Sequence, residues 1–157
     1  MRIKPKDNAN LHSSQHIKIY ISNPDYKNLE ASGASSIASE NKITSTNPLT
    51  IDATGASGIT ISLHTPSVDA EATGASHIIL TGETKDLSVE GTGASTIKCF
   101  QLMTETADVD ISGASDADVF ASVKLKASAS GASDIRYKGN AAVEQDASGA
   151  SSVKKTE

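Results

Sequence analysis

Apolar and polar residues alternate with a period of two along most of the chain. Leu49, Ile51 and Ala53, for example, alternate with Thr50 and Asp52. The same alternation recurs at residues 68–72, 87–91 and 107–111. Strict alternation is typical of a β-strand with one buried face. Because apolar residues do not recur at helical spacing, the pattern predicts an all-β protein.

A triplet, Gly-Ala-Ser, punctuates these strands seven times, and each copy follows a Ser or Thr. The triplet glycines are Gly33, Gly55, Gly74, Gly93, Gly113, Gly131 and Gly149. Their spacings are 22, 19, 19, 20, 18 and 18 residues. A strand, a bend and another strand repeated at this period describe a solenoid. The sequence therefore predicts a single-stranded parallel β-helix of about seven coils, 18–22 residues per coil, with a glycine at one corner of each.

Several boundaries follow from the repeat. We expect the β-helix domain to cover residues 17–157, beginning with a strand in which Ile17, Ile19 and Ile21 alternate with polar neighbours. Residues 1–16 are predicted to be a polar N-terminal arm or edge cap, and the long first interval predicts a loop around residues 41–48. Parity alone leaves open whether Ala or Ser of each triplet points inward; we favour Ala packed inward, with the Ser hydroxyl and the preceding Ser or Thr hydroxyl bonded to the backbone at the corner.

Composition alone gives a different picture. Ser, Ala, Thr and Gly make up 69 of the 157 residues, whereas Leu, Ile, Val and Phe together make up 31. So few large apolar residues with a net charge of −5 would ordinarily indicate disorder. The repeat reverses that interpretation, because the small residues belong to the recurring corner and to the interior of a thin coil.

Charge and cysteine content exclude several classes. The scattered charges and net acidity argue against a nucleic-acid partner, which would require a basic stripe. Apolar stretches are too short for a membrane span, and the basic first residues are not followed by the apolar segment of a signal peptide. The lone Cys99 cannot form an intramolecular disulfide and is interpreted as a small core residue.

The sequence offers few candidates for metal or catalytic chemistry. His12 and His16 lie four residues apart but in a segment that does not have a helical pattern, and they are interpreted as solvated. Asp116 and Asp134 occupy equivalent positions and should stack on adjacent coils, which makes them a weak candidate for a cation site; the main interpretation is a solvated acidic face. We predict no cofactor, no metal and no catalytic residues.

The recurring [S/T]-G-A-S motif followed by an apolar residue resembles the autotransporter-adhesin head domain family, also called the GIN domain and common in Bacteroidetes. The resemblance covers about residues 17–157. It implies a right-handed parallel β-helix, location in the cell envelope or outside the cell, and an adhesive or scaffolding role, and it supplies no catalytic residue. Family members usually carry more β-rich sequence before the first triplet, so we expect this chain to be the later part of a longer domain.

The leading functional expectation is a non-enzymatic adhesin or protein-interaction scaffold whose partner is a protein or a glycan. We expect the contact surface to include the outward position three residues after each corner glycine, which is occupied by Ser36, Gly58, His77, Thr96, Asp116, Asp134 and Ser152. The main alternative is a carbohydrate-binding or carbohydrate-active β-helix. The column of Ser and Thr residues before the glycines suggests a third class of function, an ice-binding protein. Thermal hysteresis of the purified protein would test it.

Overall fold

The computed structural model describes Ile3 and residues 17–157, which include twelve strands and no helix. All the strands belong to one sheet, and every strand pair in it is parallel. The strands are β1 Asn28–Ala31, β2 Ser36–Ala38, β3 Ile43–Thr44, β4 Leu49–Ala53, β5 Gly58–Gly74, β6 His77–Gly93, β7 Thr96–Ile111, β8 Asp116–Phe120, β9 Lys124–Ala129, β10 Asp134–Lys138, β11 Ala142–Ala147 and β12 Ser152–Lys155.

The repeat sets the register from coil to coil. Ile59 of β5 pairs with Ile78 of β6, which pairs with Ile97 of β7. Each residue thus lies above its equivalent on the previous coil, about 4.8 Å along the axis. The predicted all-β solenoid of parallel strands, with about seven coils, is confirmed. Below, each coil is named after the corner glycine that begins it.

The corner glycines do what the motif predicts. All seven adopt a left-handed backbone, with φ between +77° and +84°. The residue after each glycine continues the ladder around the corner: the Ala94 amide, for example, donates to the Gly74 carbonyl at 2.8 Å. The positive φ and the close approach of adjacent coils both favour glycine at this position.

The core is a narrow column between the walls of the coil. Ile59, Ile78 and Ile97 are fully buried, and so are the smaller Ala53 and Ala72. The core therefore consists of the few large aliphatic residues together with some of the many alanines. Because the coil is thin, the low content of large apolar residues is compatible with an ordered core.

The prediction that the triplet alanine packs inward is wrong. The serines Ser57, Ser76, Ser95, Ser115 and Ser133 are buried, whereas the alanines that precede them are exposed. Ser57 Oγ donates to the Ala31 carbonyl at 2.9 Å, and Ser76 Oγ donates to the Ala53 carbonyl at 3.0 Å. The inner side of the corner contains backbone carbonyls that a hydroxyl can satisfy and a methyl cannot, so serine takes the inward position.

The N-terminal strand predicted around Ile17–Ile21 is also wrong, because the first strand is β1. Ile17, Ile19 and Ile21 are exposed. The chain that follows them is bonded locally: Tyr26 Oη donates to the Ile21 carbonyl at 3.2 Å and accepts from the Asn23 amide at 3.1 Å. This local turn replaces the coil-to-coil ladder that a strand here would need. Apart from Ile3, the predicted arm over residues 1–16 lies outside the described residues.

The long first interval is accommodated near the predicted loop. Ala38 pairs with Thr60 and Ile43 pairs with Leu63, so residues 39–42 bulge opposite residues 61–62. Residues 45–48 then lie opposite residues 65–67 before Leu49 pairs with Val68. The extra residues are thus divided between two adjacent turns, and the loop begins slightly earlier than predicted.

Candidate interaction surface

The predicted interaction column exists as a geometrical feature. Its members are paired in register on successive coils, from Ser36 through Gly58, His77, Thr96, Asp116 and Asp134 to Ser152. We refer to these residues as the Ser36–Ser152 column. Its chemistry changes from neutral at the N-terminal end to acidic at Asp116 and Asp134. Whether it contacts a partner stays a prediction.

Gly58 and His77, two adjacent members of the column, pack closely against each other. A Cβ placed on Gly58 would overlap the imidazole of His77, which lies across the glycine from the next coil. Glycine at this position therefore leaves room for His77 to lie flat along the surface. The other described histidine, His64, belongs to a different column, and its Nδ1 lies 3.3 Å from the Glu83 carboxylate.

The structure brings Asp116 and Asp134 together on adjacent coils, as the spacing predicts. The Ser152 hydroxyl donates to Asp134 Oδ1. Arg136 Nε instead lies 2.7 Å from Oδ1 of Asp118, a nearly buried carboxylate of the neighbouring column. Within residues 17–157 no group of three or more His, Cys, Asp and Glu side chains is arranged to hold a metal ion. The two aspartates therefore form an exposed anionic pair, and His12 and His16 lie outside the described residues.

Cys99 is fully buried in the interior. Desolvation raises the pKa of its thiol to about 12, despite a hydrogen bond with the Leu80 backbone that lowers it. A thiol with this pKa is protonated at neutral pH and is a poor nucleophile. The interpretation of Cys99 as a small core residue is confirmed.

A second outward column, on the wall that leads into each corner, escaped the sequence analysis. Successive strands pair Glu30 with Asp52, Glu71, Glu90 and Asp110, so that five carboxylates stack on five adjacent coils. Ser128 interrupts this acidic column before Asp146. The signal was present in the sequence, because each of these residues stands three positions before a corner glycine.

The acidic column affects the titration of its own members. The pKa of Asp52 is raised, first by partial burial and then by the negative charges of Glu30 and Asp69. Like charges that face each other on neighbouring strands destabilise a sheet. The chain tolerates this repulsion along a whole wall of the coil, which gives that wall a strongly negative potential.

A shallow groove runs along a corner of the solenoid where the coils change in length. Cys99 pairs with Val119 and Thr106 pairs with Lys124, so residues 100–105 of the Gly93 coil lie opposite only residues 120–123 of the Gly113 coil. The Gly113 coil is two residues shorter here. Its Phe120 and Ser122 line an open concave surface of about 680 Å³ together with equivalent positions of the four preceding coils. We call this feature the axial groove.

The axial groove combines apolar and charged side chains. Met103 is 51% exposed, and Phe120 is partly buried beside it. Glu83, Lys85 and Glu105 line the same concavity. The groove is therefore a mixed surface, with both apolar and charged side chains in its lining.

Comparisons with known proteins agree with this architecture. A crystal structure from Parabacteroides distasonis described as a "Putative lipid binding protein" superposes with a TM-score of 0.66 at 18% sequence identity, which establishes similarity of fold. The match covers 84% of this chain and 56% of that one, so the chain spans little more than half of its structural relative. No curated protein matches the sequence. Within the described residues no helix is long and apolar enough to cross a membrane.

The family resemblance inferred from the Gly-Ala-Ser motif is confirmed by a family model. The model described as "Putative auto-transporter adhesin, head GIN domain" matches residues 1–141. This match covers most of the sequence, including six of the seven corner glycines. The chain therefore belongs to the auto-transporter adhesin head GIN domain family.

Proposed function

We propose that this protein is a non-enzymatic adhesive scaffold of the cell envelope, which binds its partner along the outer surface of the β-helix. The observation that carries the proposal is the Ser36–Ser152 column, which runs in unbroken register over seven coil positions. Membership of an adhesin head family supports both the adhesive role and the envelope location.

The parallel ladder explains why such a column suits adhesion. Between the two end positions Ser36 and Ser152, each member of the column lies on a strand that is paired on both sides, so its position is fixed before a partner arrives. A preorganised surface loses little conformational entropy on binding. Solenoids use extended surfaces of this kind, and repeated weak contacts along one surface add to a useful total affinity.

The non-enzymatic part of the proposal is supported by how the polar groups are arranged. Members of the Ser36–Ser152 column project side by side from a nearly flat wall, whereas catalytic groups converge on one reacting atom. Asp116 and Asp134, its two carboxylates, are adjacent on the surface and do not face each other across a cleft.

Adhesion of protein-coated beads would test the function. Fluorescent beads coated with the purified protein are washed at fixed shear over epithelial cell layers and over fibronectin, laminin and collagen films, beside albumin-coated beads. We expect retention on at least one of these surfaces several-fold above the albumin control. Retention equal to the albumin control on all of them would contradict the proposal.

A second candidate function is carbohydrate binding or carbohydrate cleavage, and the axial groove is the observation that favours it. Glu83 and Glu105 place carboxylates in a concavity that also contains the apolar Met103 and Phe120. Incubation with polysaccharides, followed by an assay for new reducing ends, distinguishes carbohydrate cleavage from carbohydrate binding alone. Release of oligosaccharides would establish cleavage and overturn the non-enzymatic assignment.

A further inference from the structure

We propose that the axial groove is a binding site for a neutral, linear glycan, which lies along the solenoid axis with its sugar rings on Met103 and Phe120. This inference rests on the second candidate function above and deepens it by naming the site and the ligand class. The groove is separate from the Ser36–Ser152 column, so the two surfaces can be tested independently.

The Gly93 and Gly113 coils provide the apolar contact that a sugar ring requires at one end of the groove. Met103 is one of the few large apolar side chains of the solenoid wall that is more than half exposed. Phe120, on the next coil, is partly buried and lines the same groove. The Thr104 hydroxyl donates to the Phe120 carbonyl, which fixes the backbone that carries the ring. The C–H faces of pyranose rings pack on such platforms.

The walls of the groove carry polar groups that suit hydroxyls. Glu83 and Glu105 offer acceptors, and Lys85 offers a donor. His64, 3.3 Å from Glu83, adds a second nitrogen on the same wall. Lys85 with Glu83 and Glu105 gives the lining a small net negative charge, so a neutral glycan fits better than an acidic one.

The direction and length of the groove also suit a chain. Its lining residues come from equivalent positions of five successive coils, from Ser45 on the Gly33 coil to Ser122 on the Gly113 coil. Four coil steps correspond to about 19 Å. A linear oligosaccharide of several rings covers this distance along the axis, whereas a single monosaccharide would occupy only part of it.

Two other occupants fit less well. An extended peptide binds a sheet by pairing with free backbone groups at its edge. The groove instead crosses the interior of the sheet, where His64 and Glu83 are already paired with residues of both neighbouring coils. A lipid chain requires an enclosed apolar cavity, whereas this groove is open and has charged walls.

The test measures binding to cellohexaose, xylohexaose, mannohexaose and chitohexaose on an array, followed by calorimetry with the best ligand. We expect at least one to bind, and Met103→Asp and Phe120→Ala each to weaken binding at least tenfold. Ile19→Asp changes an exposed residue that precedes β1 and lies outside the groove, and it is the matched control for Met103→Asp. Circular dichroism and unfolding curves confirm that each variant is folded; if Phe120→Ala does not fold, the exposed Met103 variant carries the test.

Three results would overturn the inference. They are binding of none of the four hexasaccharides, glycan binding that Met103→Asp leaves unchanged, and binding of phosphatidylcholine–phosphatidylglycerol vesicles that Met103→Asp abolishes. Bead adhesion is measured in parallel. Beads that adhere although no hexasaccharide binds would refute the groove assignment and leave the adhesive function standing. Glycan binding without bead adhesion would refute the adhesive function and leave the groove assignment standing.

Discussion

A Cβ built on Gly113 would lie 2.5 Å from the carbonyl oxygen of Gly93, one coil below it. Gly113 also has a φ of +84°, which side-chain-bearing residues rarely adopt. The corner motif is therefore constrained twice, by the backbone conformation and by the distance between coils. This relationship explains why the first residue of the recurring triplet is glycine.

Replacing Gly113 by alanine should destabilise the protein by about 2–4 kcal/mol, since it combines left-handed strain with a steric overlap against backbone. Chemical denaturation measures the change in the free energy of unfolding. Ala114→Gly is the control, because Ala114 is exposed and its methyl group makes no interior contact. Equal stability of Gly113→Ala and wild type would contradict the corner geometry.

The inward serine gives a second prediction. Ser76→Ala should reduce the free energy of unfolding by about 1 kcal/mol, because the Ala53 carbonyl loses a buried hydrogen bond. The matched substitution Ala75→Ser alters the exposed neighbour and should change stability by less than about 0.5 kcal/mol. If the two effects were reversed, the triplet would face the other way.

The acidic column predicts a stability that depends on pH. The pKa of Asp52 is raised in the folded protein by desolvation and by Glu30 and Asp69, so its ionised form disfavours folding at neutral pH. Asp52→Asn removes this penalty and should stabilise the protein at pH 7 by a few tenths of a kcal/mol up to about 1 kcal/mol. The gain should shrink as the pH falls through the raised pKa, and vanish at about pH 3, where Asp52 is protonated in both states.

Denaturation curves of Asp52→Asn and wild type at several pH values check this prediction. Asp146→Asn is the control in the same column, because Ser128 separates Asp146 from the other carboxylates. We expect the control to have a smaller effect at pH 7. A loss of stability in Asp52→Asn at neutral pH would show that the carboxylate makes a favourable interaction instead.

The Arg136–Asp118 ion pair gives a fourth prediction. The Asp118 side chain is only 10% exposed and Arg136 Nε lies 2.7 Å from it, whereas the Arg136 side chain is half exposed. Arg136→Ala leaves the aspartate without its partner and should destabilise the fold by about 1–3 kcal/mol. The double variant Arg136→Ala with Asp118→Asn should recover much of that loss. A double variant no more stable than Arg136→Ala alone would mean that the pair acts mainly through packing.

Much of the fold was predictable because the repeat is explicit. The Gly-Ala-Ser spacing and the alternation before it determine coil length, strand direction and register, and pairs such as Asp116 with Asp134 follow by counting from the corner. The same counting predicts that Glu30, Asp52 and Glu71 stack, since each lies three residues before a corner glycine, although the charges look scattered along the linear sequence.

Other features could not be predicted because they depend on packing between coils. The alternation is interrupted at each corner, so it does not determine whether Ala75 or Ser76 faces inward. The Ala53 carbonyl decides it, because it accepts a hydrogen bond from the Ser76 hydroxyl. The alternation around Ile19 has the pattern of a strand, but Tyr26 bonds the backbone locally. The axial groove brings together side chains of five coils, from Ser45 to Ser122, which share a surface only once the register of every coil is known.

The central claim, that the Ser36–Ser152 column mediates adhesion, is tested most directly by altering it while the rest of the surface is unchanged. The double variant Thr96→Lys with Asp116→Lys makes the column positive on two adjacent coils, in place of one neutral and one negative residue. Ser88→Lys with Asp108→Lys makes the same change in net charge at paired outward positions on the wall before the corner.

The measurement is retention of beads coated with wild type, the column variant or the control variant, on a surface to which wild type adheres and under one fixed shear. We predict that the column variant loses at least tenfold in retention and that the control variant keeps most of it. Equal retention of the two variants would contradict the assignment of adhesion to this column.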